Sequence, residues 1–312
     1  MKCTINWNAY TRTDWNNLLK KCSHVTLLQS YYYAQAIREI HQQGVCHGLI
    51  QIDGVDAGVV QMQEVSLLGK CIHAISIDRG PLWFDGFGKF EHVEAFSDVL
   101  NEQYPHRFAR KRRFIPEFLS KNSVFNVEKW KKCKKIQDYQ TIFIDISQNI
   151  DDVRKNFKQT WRRNLNKAEK SGVIIEMDEK LSTFSDFLRF YTKDRMEKGY
   201  SGPSAKFLAS LAKYATLTND CMILNATEDG KVIGSILILT HGFGATYQVG
   251  WTTPYGRDER AHHLLFWHAI QLLKDRGVTT FDLGGYNDEI DGIRKFKQGM
   301  GGQDIALVGN YS

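Results

Sequence analysis

The sequence predicts an α/β protein of two tandem domains, each built on a mixed sheet. Its 312 residues are enough for about two domains with cores of their own. A hairpin signal, Asp53-Gly54 followed by Gly58, returns 176 residues later as Asp229-Gly230 followed by Gly234. The same succession of helix and strand patterns surrounds both hairpins, which points to an internal duplication.

In the first half, Thr13 or Asp14 is the expected cap of a helix reaching Lys21, and Ser30 caps a second reaching His41. Residues 49–52 and 57–65 read as the strands of the first hairpin, and 72–77 as a third strand ending at Arg79-Gly80-Pro81. After Asp85-Gly86-Phe87-Gly88, an amphipathic helix over 89–104 precedes a basic strand over 108–115. The lysine-rich stretch 128–138 is the expected linker. The second half has a strand at 141–146, a basic helix at 156–172 leading into a strand from Val173, and helices at 184–198 and 204–214. Strands at 222–227 and 232–240 make its hairpin, followed by a strand at 245–250 and a helix at 257–276. It closes with a strand at 279–283, a short helix at 289–295 and a strand at 305–308. Helix, helix, hairpin, strand, helix, strand is the order of the GNAT acyltransferase fold. Two GNAT-like domains are therefore expected, 1–138 and 139–302.

Hydrophobic residues make up 42% and charged residues 24%, ordinary values for a globular chain. No window resembles a membrane span and the first eight residues do not resemble a signal peptide, so a cytoplasmic protein is expected. The six cysteines lie far apart with no Cys-x-x-Cys pair, which fits reduced thiols and excludes a disulfide framework. Charge is local. The formal net charge is +6, yet residues 107–135 hold 11 Lys/Arg against 2 acids. Such a field suits phosphate-bearing partners: nucleic acid, nucleotide sugar or lipid headgroup. The helix over 156–172 adds to it. Phe157, Trp161, Leu165 and Ala168 form its apolar stripe, and Arg162, Arg163, Lys167 and Lys170 are candidate contacts to tRNA or other phosphate, with Gly172 as its stop.

Several motifs resemble the Fem-type aminoacyltransferases. They are Leu28-Gln29-Ser30, Arg79-Gly80-Pro81, Thr141-x-x-x-Asp145, the run from Trp161-Arg162-Arg163-Asn164-Leu165 to Gly172-Val173, Phe281-Asp282-Leu283-Gly284-Gly285, and Phe296-Lys297-x-Gly299-Met300-Gly301-Gly302. The resemblance runs through the chain in order. It implies twin GNAT-like domains, with the last strand, 303–312, crossing back to complete the first. It implies peptidoglycan bridge formation: an amino acid moves from aminoacyl-tRNA to an amine of a UDP- or lipid-linked muropeptide, with peripheral contact to membrane headgroups. No heptad repeat marks a coiled-coil arm, so the chain resembles the armless members.

Aminoacyl transfer from an ester to an amine needs positioning, a neutral amine and stabilisation of a tetrahedral oxyanion. A tRNA ester is already activated, so no covalent enzyme intermediate and no resident cofactor are expected. By resemblance Lys297, beside Phe296, is the catalytic lysine, polarising the ester carbonyl or holding the terminal adenosine phosphate. The glycine turn after it would let backbone approach substrate. Arg79 is the candidate for acceptor phosphate and Asp85 for the acceptor amine. Tyr191, Arg195 and Tyr200 are candidates for pyrophosphate and sugar. His262-His263 have no carboxylate or Cys at metal-ligand spacing, so no metal is expected. Two other readings remain. One is a GNAT acyltransferase using acetyl-CoA in polysaccharide or lipid synthesis, opposed by the glycine-free, acid-bearing stretch Arg257-Asp258-Glu259-Arg260 where a pyrophosphate cradle would lie. The other is a non-catalytic RNA-binding relative.

Overall fold

The structure, a computed structural model, describes residues 1–119, 127, 129–134, 137–286 and 291–312, with Asp291 described by its backbone alone. Parts of the expected linker and basic segment (120–126, 128, 135–136) and the start of the expected helix at 289 lie outside the described residues. The chain divides into two compact units: Met1–Gln140 with Ile305–Ser312, and Thr141–Asp304.

The first unit contains β1 (Cys3–Asn8), α1 (Arg12–Leu19), α2 (Tyr31–His41), β2 (Gly44–Ile52), β3 (Val55–Leu67), β4 (Ile72–Asp78), β5 (Leu82–Trp83), α3 (Phe90–Gln103) and β6 (Arg110–Ile115). Its sheet runs β1-β2-β3-β4-β6, with β5 on β3. Strand β6 joins β4 in parallel, while the other pairs are antiparallel. The core gathers Ile50, Met62, Ile77, Phe96, Leu100 and Phe114, closed by Val308 and Tyr311 from the C-terminal segment. Two local expectations change. Helix α1 is capped by Thr11, in a capping box with Asp14, rather than by Thr13 or Asp14. Strand β1 has no counterpart in the sequence reading, because only Cys3 and Ile5 form its buried face.

The second unit contains β7 (Gln140–Asp145), α4 (Ile150–Asn156), α5 (Gln159–Ala168), β8 (Ile174–Asp178), α6 (Phe184–Lys198), α7 (Ala205–Ala215), β9 (Cys221–Glu228), β10 (Lys231–His241) and β11 (Gly244–Thr252). It continues with α8 (Pro254–Asp258), α9 (Ala261–Asp275), β12 (Thr280–Asp282), α10 (Asp291–Gly299) and β13 (Gln303–Ala306). The sheet order is β13-β7-β12-β11-β10-β9-β8. Helix α9 buries Leu264, Leu265, Phe266, Ile270 and Leu273, which explains a sequence apolar on most of its faces.

The duplication extends to backbone detail. The run β1-β2-β3-β4-β6 corresponds to β8-β9-β10-β11-β12, each with a helix pair after its first strand and a helix before its last. Both hairpins turn through two left-handed residues, Asp53 and Gly54 (φ 49° and 83°) and Asp229 and Gly230 (φ 47° and 71°). Each hairpin then carries one extra residue on its second strand, Ala57 opposite Ile50/Gln51 and Ile233 opposite Ala226/Thr227. These two bulges are again 176 residues apart.

The helix expected over 156–172 is shorter, α5 alone, set off from α4 by a break in the chain. Helix α4 ends at Asn156, Phe157 and Lys158 are extended (ψ 139° and 149°), and α5 ends at Ala168, four residues before Gly172. The apolar stripe survives the break, with Phe157, Trp161, Leu165 and Ala168 all buried. The helix expected over 257–276 is α8 and α9, separated at Arg260, whose φ is 60°.

Candidate active site

Strands β11 and β12 pair in parallel only over Gly244–Thr246 and Thr280–Asp282. From Tyr247 and Leu283 onward the two chains part, and a cavity of about 610 Å³ opens within the second unit. Its walls include Tyr191, Tyr200, Tyr247, His262, His263, Phe296 and Lys297.

Lys297 is brought there by α10. Its neighbour Phe296 packs against Trp161, His263 and Phe266, with ring centroids 5.8, 5.0 and 5.4 Å away. This anchors the helix and turns Lys297 inward, where it is only 4% exposed. Its Nζ donates to the carbonyl oxygens of Gly284 (2.8 Å) and Gly285 (3.0 Å) and stands 5.8 Å from the Tyr247 ring centroid. Two of its three protons are thereby used. Burial pulls its pKa from the usual lysine value to about 8, against the opposing pull of the Asp282 carboxylate. Asp282 itself is buried, accepts hydrogen bonds from the Gly284 amide (2.8 Å) and the Thr141 hydroxyl, and so shapes the turn that aims the two carbonyls. Gly284 has φ 74°, and a Cβ there would lie 2.8 Å from the Tyr247 carbonyl oxygen.

The glycine turn after Lys297 does something other than approach a substrate. A Cβ on Gly299 would meet Trp161 at 2.6 Å, one on Gly301 the Asn156 carbonyl oxygen at 1.9 Å, and one on Gly302 the Phe143 carbonyl oxygen at 2.5 Å. The Lys158 amide donates to the Gly299 carbonyl at 2.8 Å. The turn is seated in the break between α4 and α5, and this seating fixes α10 and Lys297.

The candidates on α6 divide. Tyr191 and Tyr200 line the cavity, whereas Arg195 does not. Arg195 donates through Nη1 to the carbonyls of Gly202 and Pro203, both at 2.9 Å, and thus closes the loop after α6. The Tyr191 hydroxyl donates to the Pro203 carbonyl (3.0 Å) and that of Tyr200 to Asp194 (3.1 Å). Burial raises the pKa of both phenols, and Asp194 raises that of Tyr200 further.

Arg79 also proves structural. Its guanidinium is buried and makes a two-toothed ion pair with Glu117 at 2.8 and 2.9 Å, stacked 4.7 Å from the Tyr139 ring centroid. Burial pushes the Glu117 carboxyl up, and Arg79 outweighs this and holds it at about 2. A guanidinium engaged in this way has no fork left for an acceptor phosphate. Asp85 is exposed in a turn of the first unit and is not among the residues lining the cavity.

The cationic surfaces differ. In the segment expected as a phosphate field, Arg112 is buried against Asn101 (2.7 Å) and two backbone carbonyls, Arg113 pairs with Asp78 (2.7 Å) and Lys132 with Asp138 (2.7 Å). Much of that charge holds the first unit together. On α5 and the turn after it, Arg162 bonds the Lys155 carbonyl (3.0 Å), while Arg163, Lys167 and, in the turn, Lys170 are exposed.

Sequence reasoning missed Tyr247, Trp251, Asp194 and Arg260 as cavity residues and considered His262 and His263 only for metal. Burial lowers the pKa of both imidazoles to about 4, so they are neutral near pH 7. The buried Nδ1 of His263 and Nε1 of Trp251 have no hydrogen-bond partner among the described residues. Two adjacent histidines opening a long apolar helix were the available signal. Among the described residues no group of three or more His, Cys, Asp or Glu is placed to hold a metal ion. No helix among them is long and apolar enough to cross a membrane.

Coenzyme A, the usual acyl donor of this fold, needs free amides at the start of the helix that α9 represents. Here the Gly256 amide donates to Thr253 Oγ1 (2.9 Å), that of Arg257 to the Thr253 carbonyl (3.0 Å), that of Glu259 to Tyr255 (2.9 Å) and that of Arg260 to Arg257 (3.1 Å). These four amides, which precede α9, are all turned to the chain itself.

The fold and its splayed strands define a GNAT acyltransferase fold in tandem. Residues 155–298 match the acetyltransferase (GNAT) domain family. No curated protein matches the chain. Among solved structures, FemX is similar over 100% of this chain and 96% of its own, at 16% identity and a TM-score of 0.80. A tandem GNAT protein from the clavulanic acid biosynthesis pathway covers 99% and 98% at 8% identity and 0.51. The C-terminal domain of a protein from Agrobacterium fabrum assigned as a lysylphosphatidylglycerol synthetase covers 81% and 79% at 11% identity and 0.53. At these identities the likeness establishes architecture: the chain has the Fem-type tandem GNAT fold.

Proposed function

We propose that the protein transfers an amino acid from aminoacyl-tRNA to an amine of a phosphate-bearing cell-wall precursor, UDP-linked or lipid-linked. The observation that carries this reading is Lys297, a buried cation at the wall of a cavity, held by two backbone carbonyls with one proton to spare. In the proposed reaction the acceptor amine attacks the ester carbonyl and forms the new C–N bond. Lys297 stabilises the oxyanion that develops. The intermediate collapses with cleavage of the bond to the ribose oxygen, which receives the proton lost by the amine. The internally bonded amides before α9 favour a tRNA ester over an acyl-CoA as donor. The test is incubation with labelled aminoacyl-tRNA pools and UDP-linked or lipid-linked muropeptide. Label passing to the acceptor is expected; no transfer from any aminoacyl-tRNA, with acetyl-CoA labelling an amine instead, would sink the reading.

Lys297 acts here as the acid form. With its pKa near 8, that form predominates below about pH 8 and is lost above it. The transfer rate is therefore expected to fall as pH rises through about 8, and a rate that climbs over the same range would make Lys297 a base instead.

The exposed cations of α5 and of the turn that follows it are assigned to tRNA. Replacing Arg163, Lys167 and Lys170 together by alanine is expected to weaken tRNA binding and to flatten the slope of log K against log salt by about 2. Unchanged affinity and slope in filter binding would return α5 to a plain solvated face.

A further inference from the structure

Most of the large exposed apolar side chains described in the first unit gather at one hairpin tip, with Met1 and Val55 elsewhere. Leu67, Leu68 and Ile72 are 57, 78 and 49% exposed, and Phe108, from the loop before β6, is 96% exposed. The register of β3 and β4 sets Leu67 opposite Ile72 and Val65 opposite Ala74, so Val65, Leu67 and Ile72 share one face. Arg107 donates to the carbonyls of Lys70 and Cys71, which fastens the loop bearing Phe108 to this tip. Such a cluster is costly in water and marks a contact surface.

Its rim is cationic. Lys111, exposed, stands beside Ala74 in the register of β4 and β6 and therefore on the apolar face. Lys70 and Arg107 lie at the tip itself. Neither 65–72 nor 105–116 contains an acid. On the flanking strands Glu64 pairs with Lys70 (3.0 Å) and His73 (2.8 Å), and Asp78 with Arg113 (2.7 Å), so Arg107 and Lys111 carry the positive charge of the rim. Aliphatic side chains and a phenylalanine ringed by lysine and arginine match the boundary of an anionic bilayer, where acyl chains receive the first and headgroup phosphates the second. RNA offers phosphate but no bed for three aliphatic side chains.

We propose that the β3–β4 tip with Phe108 docks the protein on anionic lipid surfaces. The proposal rests on this surface and not on the transfer reading; if both hold, the lipid-linked acceptor is the expected one. The test is cosedimentation of the whole chain with vesicles of phosphatidylcholine alone or mixed with phosphatidylglycerol. The protein is expected to pellet with the mixed vesicles, less so as salt rises, and not with phosphatidylcholine. Leu68→Ser with Phe108→Ser, and separately Lys111→Glu, are expected to weaken binding by about tenfold or more. These positions are exposed, so melting and transfer to a UDP-linked acceptor should be unchanged. No pelleting with the mixed vesicles, or equal pelleting by the variants, would overturn the proposal. So would a wild-type dimer that the serine variant makes monomeric, which would give the patch to a second copy, or loss of tRNA binding in place of vesicle binding.

Discussion

Lys297→Met is expected to lower single-turnover transfer by about 100-fold or more, the scale of losing one oxyanion-stabilising donor. Methionine is close to lysine in length and removes the cost of burying a charge. It leaves the Gly284 and Gly285 carbonyls without that donor, a loss of about 1–3 kcal/mol. These two effects oppose each other, so the variant should fold and melt near the wild type while its chemistry fails. Binding of charged tRNA should change far less than the chemical step, since α5 and not Lys297 is assigned to the nucleic acid. Turnover within a few-fold of wild type, in a variant shown to be folded, would remove Lys297 from the reaction.

Gly301→Ala should instead act through the fold, destabilising the protein by about 4 kcal/mol, at the upper end of single substitutions. Two independent costs combine. The residue has φ 71°, where any side chain is strained, and its Cβ would lie 1.9 Å from the Asn156 carbonyl oxygen, a distance real atoms do not adopt. Relief requires α10 to back away from the break between α4 and α5, which carries Lys297 with it. Denaturant titration should therefore show a lower midpoint, and transfer should fall even at temperatures where the variant is folded. A midpoint shift below about 1 kcal/mol would mean that the turn is not seated as described.

The two substitutions mark the limit of what sequence patterning reaches. The Phe296-Lys297 motif with its glycines is visible in the sequence, and the resemblance singled out the lysine. The reason for the glycines was not legible there, because their partners are Trp161, Asn156 and Phe143, more than a hundred residues away. Arg79 shows the same limit from the other side. An arginine before Gly-Pro reads as a free anion binder until Glu117 is seen to close on it in the interior. The bonds of Arg195 were not legible for a similar reason, since its partners are backbone carbonyls that no side-chain pattern announces.

Local chemistry determined the elements of this protein. Period-2 and period-3.6 apolar patterns, Asp-Gly turns and a Ser30 cap are short-range signals, and the hairpins and most helices formed where those signals stood. Their repetition across 176 residues was enough to read two copies of one plan. Tertiary structure alone decided which cations are available and where the cavity lies. Both depend on burial and on where β11 and β12 cease to pair, and these arise from contacts between residues far apart in sequence. The same folding took Arg79 and Arg112 out of water and left Arg163, Lys167 and Lys170 in it.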